Sequence, residues 1–189
     1  MKKIKFAIIG NPISHSLSPT MHNYWFDKYN IKAEYELLNT EESEIQNVIN
    51  KIKDKEIKGI NVTLPYKKTV IPFLSKIIND AKETHSVNTI ILDDHGNLIG
   101  ENTDVFGFQA AYLKSIPRQE KKSKKVLILG AGGVAPSIIY ALLKSNILDI
   151  SLTNRTHERS LFIKKNFKGI NIINWNDFSK YLYKFDIVI

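Results

Sequence analysis

Val126-Leu127-Ile128-Leu129-Gly130-Ala131-Gly132-Gly133-Val134-Ala135 decides how the rest of the chain is read. Four apolar residues predict a buried strand, and the glycines that follow match G-x-G-x-x-A at the start of a helix predicted over residues 134–144. Gly130 permits a tight turn, Gly132 lets the main chain approach a diphosphate, and Ala135 lets the helix close onto the strand. The helix start adds unpaired N–H groups and the positive end of the dipole. A tight turn with no ligand is the plainer alternative for the glycines taken alone.

Working toward the C-terminus, residues 149–153 predict the next strand, which ends in Thr153-Asn154-Arg155-Thr156. A site for NAD usually places an acid there, on the ribose 2′-hydroxyl. Arg155 would instead pair with a 2′-phosphate, and Arg159 one turn later would flank it, so NADP is expected over NAD. The cofactor set is therefore Gly130, Ala131, Gly132, Gly133, Val134, Ala135, Asn154, Arg155, Thr156 and Arg159, with solvated surface charge the alternative for the arginines. A helix over 158–166 and strands over 170–175 and 185–189 follow. Strand and helix alternate, which implies a parallel sheet with right-handed crossovers. Residues 126–189 thus read as part of a Rossmann-like, doubly wound domain.

Toward the N-terminus the pattern is again α/β. A strand is expected over 5–10. Ser18-Pro19 then predicts an N-cap and a proline at the first helical position, opening a helix to about residue 29. A strand over 33–38 precedes a helix over 41–53, in which Ile45, Val48, Ile49 and Ile52 fall at helical spacing. Residues 59–64 predict a strand, the stretch to 83 a helix broken near Pro72, and Asp94-His95-Gly96-Asn97 a hairpin turn between strands 89–93 and 98–101. A mixed α/β domain over 1–104, a connecting helix and linker over 105–125, and the domain over 126–189 make up the expected organisation.

Composition narrows the function. The 189 residues contain no cysteine, which removes disulfides, thiolate catalysis and Cys-based zinc, and fits a cytoplasmic setting. No apolar run approaches the ~18 residues of a membrane span. The net charge of +8 is spread over the chain, and the run Lys121-Lys122-Ser123-Lys124-Lys125 has no interleaved aromatic residues, so it reads as solvated surface and not as a nucleic-acid footprint. The five histidines show no metal-ligand spacing, and no metal is expected. His15 is assigned a packing or loop-shaping role.

Four polar clusters sit at predicted strand ends, where α/β sheets hold ligands. They are Ser14-His15-Ser16-Leu17-Ser18-Pro19, Asn61-Val62-Thr63-Leu64-Pro65-Tyr66-Lys67, Ser86-Val87-Asn88-Thr89 and Asn102-Thr103-Asp104-Val105-Phe106-Gly107. Their hydroxyls, amides, lysine and aspartate suit a polyhydroxylated small molecule. In this order, and followed by Gly-Ala-Gly-Gly and Asn-Arg-Thr, they closely resemble shikimate dehydrogenase from about Ile8 to the last residue. The resemblance implies NADPH-dependent reduction of 3-dehydroshikimate to shikimate, on the way to aromatic amino acids. It assigns Ser16 and Ser18 to the substrate carboxylate and Thr63, Lys67, Asn88 and Asp104 to the ring hydroxyls. Lys67 and Asp104 become the catalytic pair that exchanges the proton at the reacting oxygen.

Two departures accompany the resemblance. The family commonly carries small residues such as Ala-Gly before Val-Asn-Thr, where this chain has His85-Ser86. The chain also stops at Asp186-Ile187-Val188-Ile189, inside an expected core strand and before the family's Asn-Ala-Thr type loop and a late substrate glutamine, so a truncated nucleotide domain is expected. A quinate/shikimate enzyme using NAD and a non-catalytic nucleotide-binding module are the alternatives. A homodimer is left open.

Overall fold

The computed structural model describes residues 3–189. The chain divides into two compact units that meet between Asn102 and Thr103.

The first unit runs β1 (Ile4–Gly10), α1 (Ser18–Lys28), β2 (Ala33–Asn39), α2 (Ile45–Lys53), β3 (Gly59–Val62), β4 (Lys76–Ile77), α3 (Asp80–Thr84), β5 (Thr89–Leu92) and β6 (Leu98–Glu101). The strands form one sheet in the order β2-β1-β3-β5-β6-β4. Only β5 runs against its neighbours. The C-terminal ends of β1, β2, β3 and β6 and the start of β5 therefore lie along the same edge. α2 seals the core with Ile45, Val48, Ile49 and Ile52, all buried as their spacing predicts. Each such side chain is worth about 1.5–3 kcal/mol in transfer from water.

Two local expectations change. The stretch before residue 83 is not a helix interrupted at Pro72. It holds a 3-10 turn at Ile71–Phe73 and the edge strand β4, because Lys76 and Ile77 pair with Ile99 and Gly100 of β6. That long-range pairing outweighs a local helical preference. Ser18 is not the N-cap of α1 either. Leu17 holds that position, Ser18 opens the helix, and the Ser18 N–H donates to Ser16 Oγ at 3.3 Å.

The second unit runs α4 (Asp104–Ala111), a 3-10 turn at Leu113–Ser115, α5 (Arg118–Lys121), β7 (Lys125–Leu129), α6 (Ala135–Lys144), β8 (Asp149–Thr153), α7 (His157–Asn166), β9 (Asn171–Ile172) and β10 (Ile187–Val188). Its sheet is parallel throughout, in the order β10-β7-β8-β9. Residues 105–125, expected as a connection, belong to this unit. Val105 and Leu113 are buried in its core with Ile139 and Leu142, and Phe108 and Ile116 pack against them. An apolar helix face has to be covered, and α6 provides the cover. The division thus falls just before the expected limit at residue 104.

Candidate functional site

Hydrogen bonds tie the loops at the shared edge of the first sheet to one another. The N–H of Asn11 donates to Leu64 O, Thr40 N–H to Gly10 O, and Thr63 N–H to Ile9 O. Tyr66 is buried and its hydroxyl donates to Thr40 O at 2.7 Å. Gly10 is needed for the close approach, since a Cβ there would sit 2.6 Å from Thr63 Cγ2 and 2.9 Å from Leu64 O. The Lys67 main-chain carbonyl accepts from Val87 N–H at 2.8 Å, which places Lys67 beside the segment that carries Asn88. Asn88 N–H in turn donates to Glu101 O, and Asn88 O accepts from Val62 N–H.

This edge gathers the loop with Ser16 and Ser18, Thr63 and Lys67 beyond β3, and Asn88 before β5. Ser16, Ser18, Thr63 and Lys67 are half-buried and Asn88 is buried. Asp104 opens α4 in the second unit, three residues past the end of β6, so the fold puts it in a different unit from Lys67. His15, for which a packing or loop-shaping role is expected, is exposed, which removes the packing half of that expectation.

The neighbouring polar groups form a chain that sequence reasoning missed. Tyr35 Oη donates to Asn61 Oδ1 at 2.6 Å, and Asn61 Nδ2 donates to Asn88 O and Thr89 Oγ1, both at 3.1 Å. Thr89 Oγ1 donates to Asn88 Oδ1 at 3.1 Å. A polar residue inside the apolar strand Gly59–Val62 was the available signal. His22 stacks on Tyr35 with centroids 4.3 Å apart and planes 9° from parallel. Burial pushes the Tyr35 phenol above its ordinary range and His22 below its own, so the first stays a donor and the second neutral.

In the second unit, the turn after β7 has the form a diphosphate needs. Gly130 sits at φ +124°, a backbone state that L side chains rarely adopt, and a Cβ on Gly132 would meet nothing within 4 Å. Gly130 N–H donates to Thr153 O at 2.8 Å and Ala131 N–H to Asn154 Oδ1 at 3.0 Å. The N–H groups of Gly132, Gly133 and Val134 have no partner among the described residues, so three successive donors remain for a ligand. Asn154 also donates through Nδ2 to Thr156 O at 2.7 Å, which braces the glycine turn against the end of β8. Its amide thus serves the loop's shape. Ala135 is buried at the start of α6, as close helix–strand packing requires. Arg155, Thr156 and Arg159 are exposed, and neither arginine has an ion-pair partner among the described residues. Such a turn with two available guanidiniums beyond β8 fits a dinucleotide carrying a 2′-phosphate.

Comparison with known proteins gives the arrangement a family. The profile described as shikimate dehydrogenase substrate binding domain matches residues 8–90, and that described as shikimate/quinate 5-dehydrogenase matches residues 113–189. A shikimate dehydrogenase (NADP(+)) of Pelagibacter ubique is 47% identical over 189 residues, covering 100% of this chain and 68% of the relative. The chain belongs to the shikimate dehydrogenase family. Among solved structures of the family, the Aquifex aeolicus enzyme superposes with a TM-score of 0.88 at 32% identity, over 98% of this chain and 67% of that one. The Thermus thermophilus enzyme, solved in complex with NADP(H) and shikimate, gives 0.78 at 30% identity over 90% and 62%.

No helix among the described residues is long and apolar enough to cross a membrane. No cluster of three or more His, Asp or Glu among them could hold a metal ion.

Proposed function

We propose that this protein catalyses the reversible NADP-dependent reduction of 3-dehydroshikimate to shikimate in the route to aromatic amino acids. The observation that carries the reading is the gathering of the Ser16/Ser18, Thr63/Lys67 and Asn88 segments on one sheet edge. A diphosphate-type turn and two exposed arginines in the same chain supply the cofactor half.

In this reading Ser16 and Ser18 donate to the substrate carboxylate, while Thr63 and Asn88 bind ring hydroxyls. NADPH supplies the hydride. Negative charge then develops on the substrate oxygen, and the Lys67 ammonium donates its proton there. Asp104 orients Lys67 and accepts a hydrogen bond from the neighbouring hydroxyl. A carboxylate in that role favours charged lysine, the form that reduction requires. In the reverse direction, neutral Lys67 takes the proton. The backbone donors at Gly132, Gly133 and Val134 hold the diphosphate, with Ala131 and Ala135 shaping the turn, and Arg155 and Arg159 flank the 2′-phosphate beside Thr156 and Asn154. The setting proposed is cytoplasmic.

Following NADPH absorbance as the purified protein oxidises shikimate tests the reading. Shikimate-dependent NADPH formation, faster with NADP than with NAD, is expected. Absence of that signal would remove the function, and a preference for NAD would overturn the cofactor assignment.

A further inference from the structure

The hydrogen-bond chain from Tyr35 runs donor to acceptor in one direction as far as the Asn88 carboxamide. The main-chain oxygen of Asn88 can only accept, so the Asn61 amide must turn its NH2 toward it. Asn61 Oδ1 then faces Tyr35, whose hydroxyl has to donate. Thr89 Oγ1 accepts from the second Asn61 N–H and donates its own proton to Asn88 Oδ1 at 3.1 Å. An amide that spends its oxygen on Thr89 turns its NH2 the other way. The Asn88 main-chain carbonyl thus acts through two side chains, Asn61 and Thr89, to favour the flip of the Asn88 carboxamide that turns Oδ1 to Thr89.

The far end of the chain is held as firmly. β2 is an edge strand, and Asn23 of α1 satisfies the open main-chain groups of Tyr35, accepting from its N–H at 2.9 Å and donating to its O at 3.0 Å. His22 covers the ring. Tyr35 is only 5% exposed, and its hydroxyl is satisfied by the bond to Asn61.

We infer that Tyr35, Asn61 and Thr89 form a positioning chain that fixes Asn88 as a hydrogen-bond donor toward substrate, and so sets the polarity of the hydroxyl contact at that position. The inference rests on the proposed shikimate reading of this edge. The positioning chain's role is to remove the flipped state of Asn88, in which an oxygen would replace the NH2, before any ligand arrives. Preorganisation of this kind shows in substrate affinity and not in the cofactor half of the site.

The test is a double-mutant cycle on the purified protein, reading KM for shikimate, KM for NADP, kcat and the melting temperature. Tyr35→Phe and Thr89→Val, which remove one hydroxyl each, should raise the shikimate KM about tenfold and leave the NADP KM unchanged. Thr89→Ser restores the hydroxyl and should return the KM to near the parent value. In an Asn88→Ala background, Tyr35→Phe should add less than about twofold, because the group it positions is gone. An equal effect of Tyr35→Phe in both backgrounds would overturn the inference, as would Thr89→Ser behaving like Thr89→Val. A parent protein that neither binds nor oxidises shikimate would instead remove the functional reading beneath it.

Discussion

At the edge of the first sheet the polar groups are side chains that hold one another, whereas at the glycine turn of the second unit they are main-chain N–H groups flanked by exposed guanidiniums. Asn88 is buried and meets Thr89, Asn61 and Tyr35 in turn. Arg155 and Arg159 lie in solvent with no ion-pair partner among the described residues. The contrast follows from the proposed ligands. A ring with several hydroxyls is distinguished from its isomers by where donors and acceptors stand, so the donors have to be fixed beforehand. A diphosphate and a 2′-phosphate are strong anions, which unpaired amides and mobile cations satisfy without a rigid side-chain lattice.

The comparison can be broken at several points, and the largest effect is expected at Lys67. Replacing it by Ala should lower kcat by about 10²–10⁴-fold while sparing the NADP KM, which steady-state kinetics would read directly. Turnover that barely changed would end its catalytic assignment. Next comes Arg155→Ala, for which the KM for NADP should rise about 10–100-fold and that for NAD stay where it is, the loss expected for a charge-assisted hydrogen bond. Equal losses for both cofactors would show that Arg155 does not address the 2′-phosphate.

Smaller effects belong to stability. Ser86 is fully buried and its hydroxyl has no partner among the described residues. Ser86→Ala should therefore raise stability by about 1 kcal/mol, seen as a melting temperature a few degrees higher. A lower melting temperature would mean that the hydroxyl is satisfied after all. The smallest effect concerns His22, whose folded pKa lies below the ordinary 6.5 because burial disfavours the cation. The unfolded chain then binds the extra proton first, so stability is full above that pH and declines as pH falls below it. Urea unfolding at two pH values should show the decline in the parent protein and less of it in His22→Phe.

Much of this was legible in the sequence because it depends on local chemistry. Periodicity placed α2 with its four buried residues, and β8 falls at the predicted residues 149–153. The spacing of Gly130, Gly132 and Ala135 after an apolar run announced the diphosphate turn. What failed locally did so for long-range reasons. Residues 76–77 became an edge strand because β6 offered unpaired groups, and Val105 and Leu113 left the expected connection for the second core. The unusual His85-Ser86 also finds its physical setting. His85 takes a left-handed conformation at φ 45°, ψ 43° as the C-cap of α3, a position that favours glycine, and Ser86 lies where a hydroxyl finds no partner.

Sequence alone singled out the residues proposed to carry the chemistry, since Lys67, Asn88, Arg155 and the glycines stand out by type, order and spacing. The tertiary structure decided what holds them. Tyr35 and Asn61 lie 26 residues apart on strands separated in the sheet by β1, and a 2.6 Å bond between them exists only once the sheet order is set. Hydrogen-bond polarity passes through space and not along the chain, so the direction in which Asn88 points could not be read before the strands were assembled.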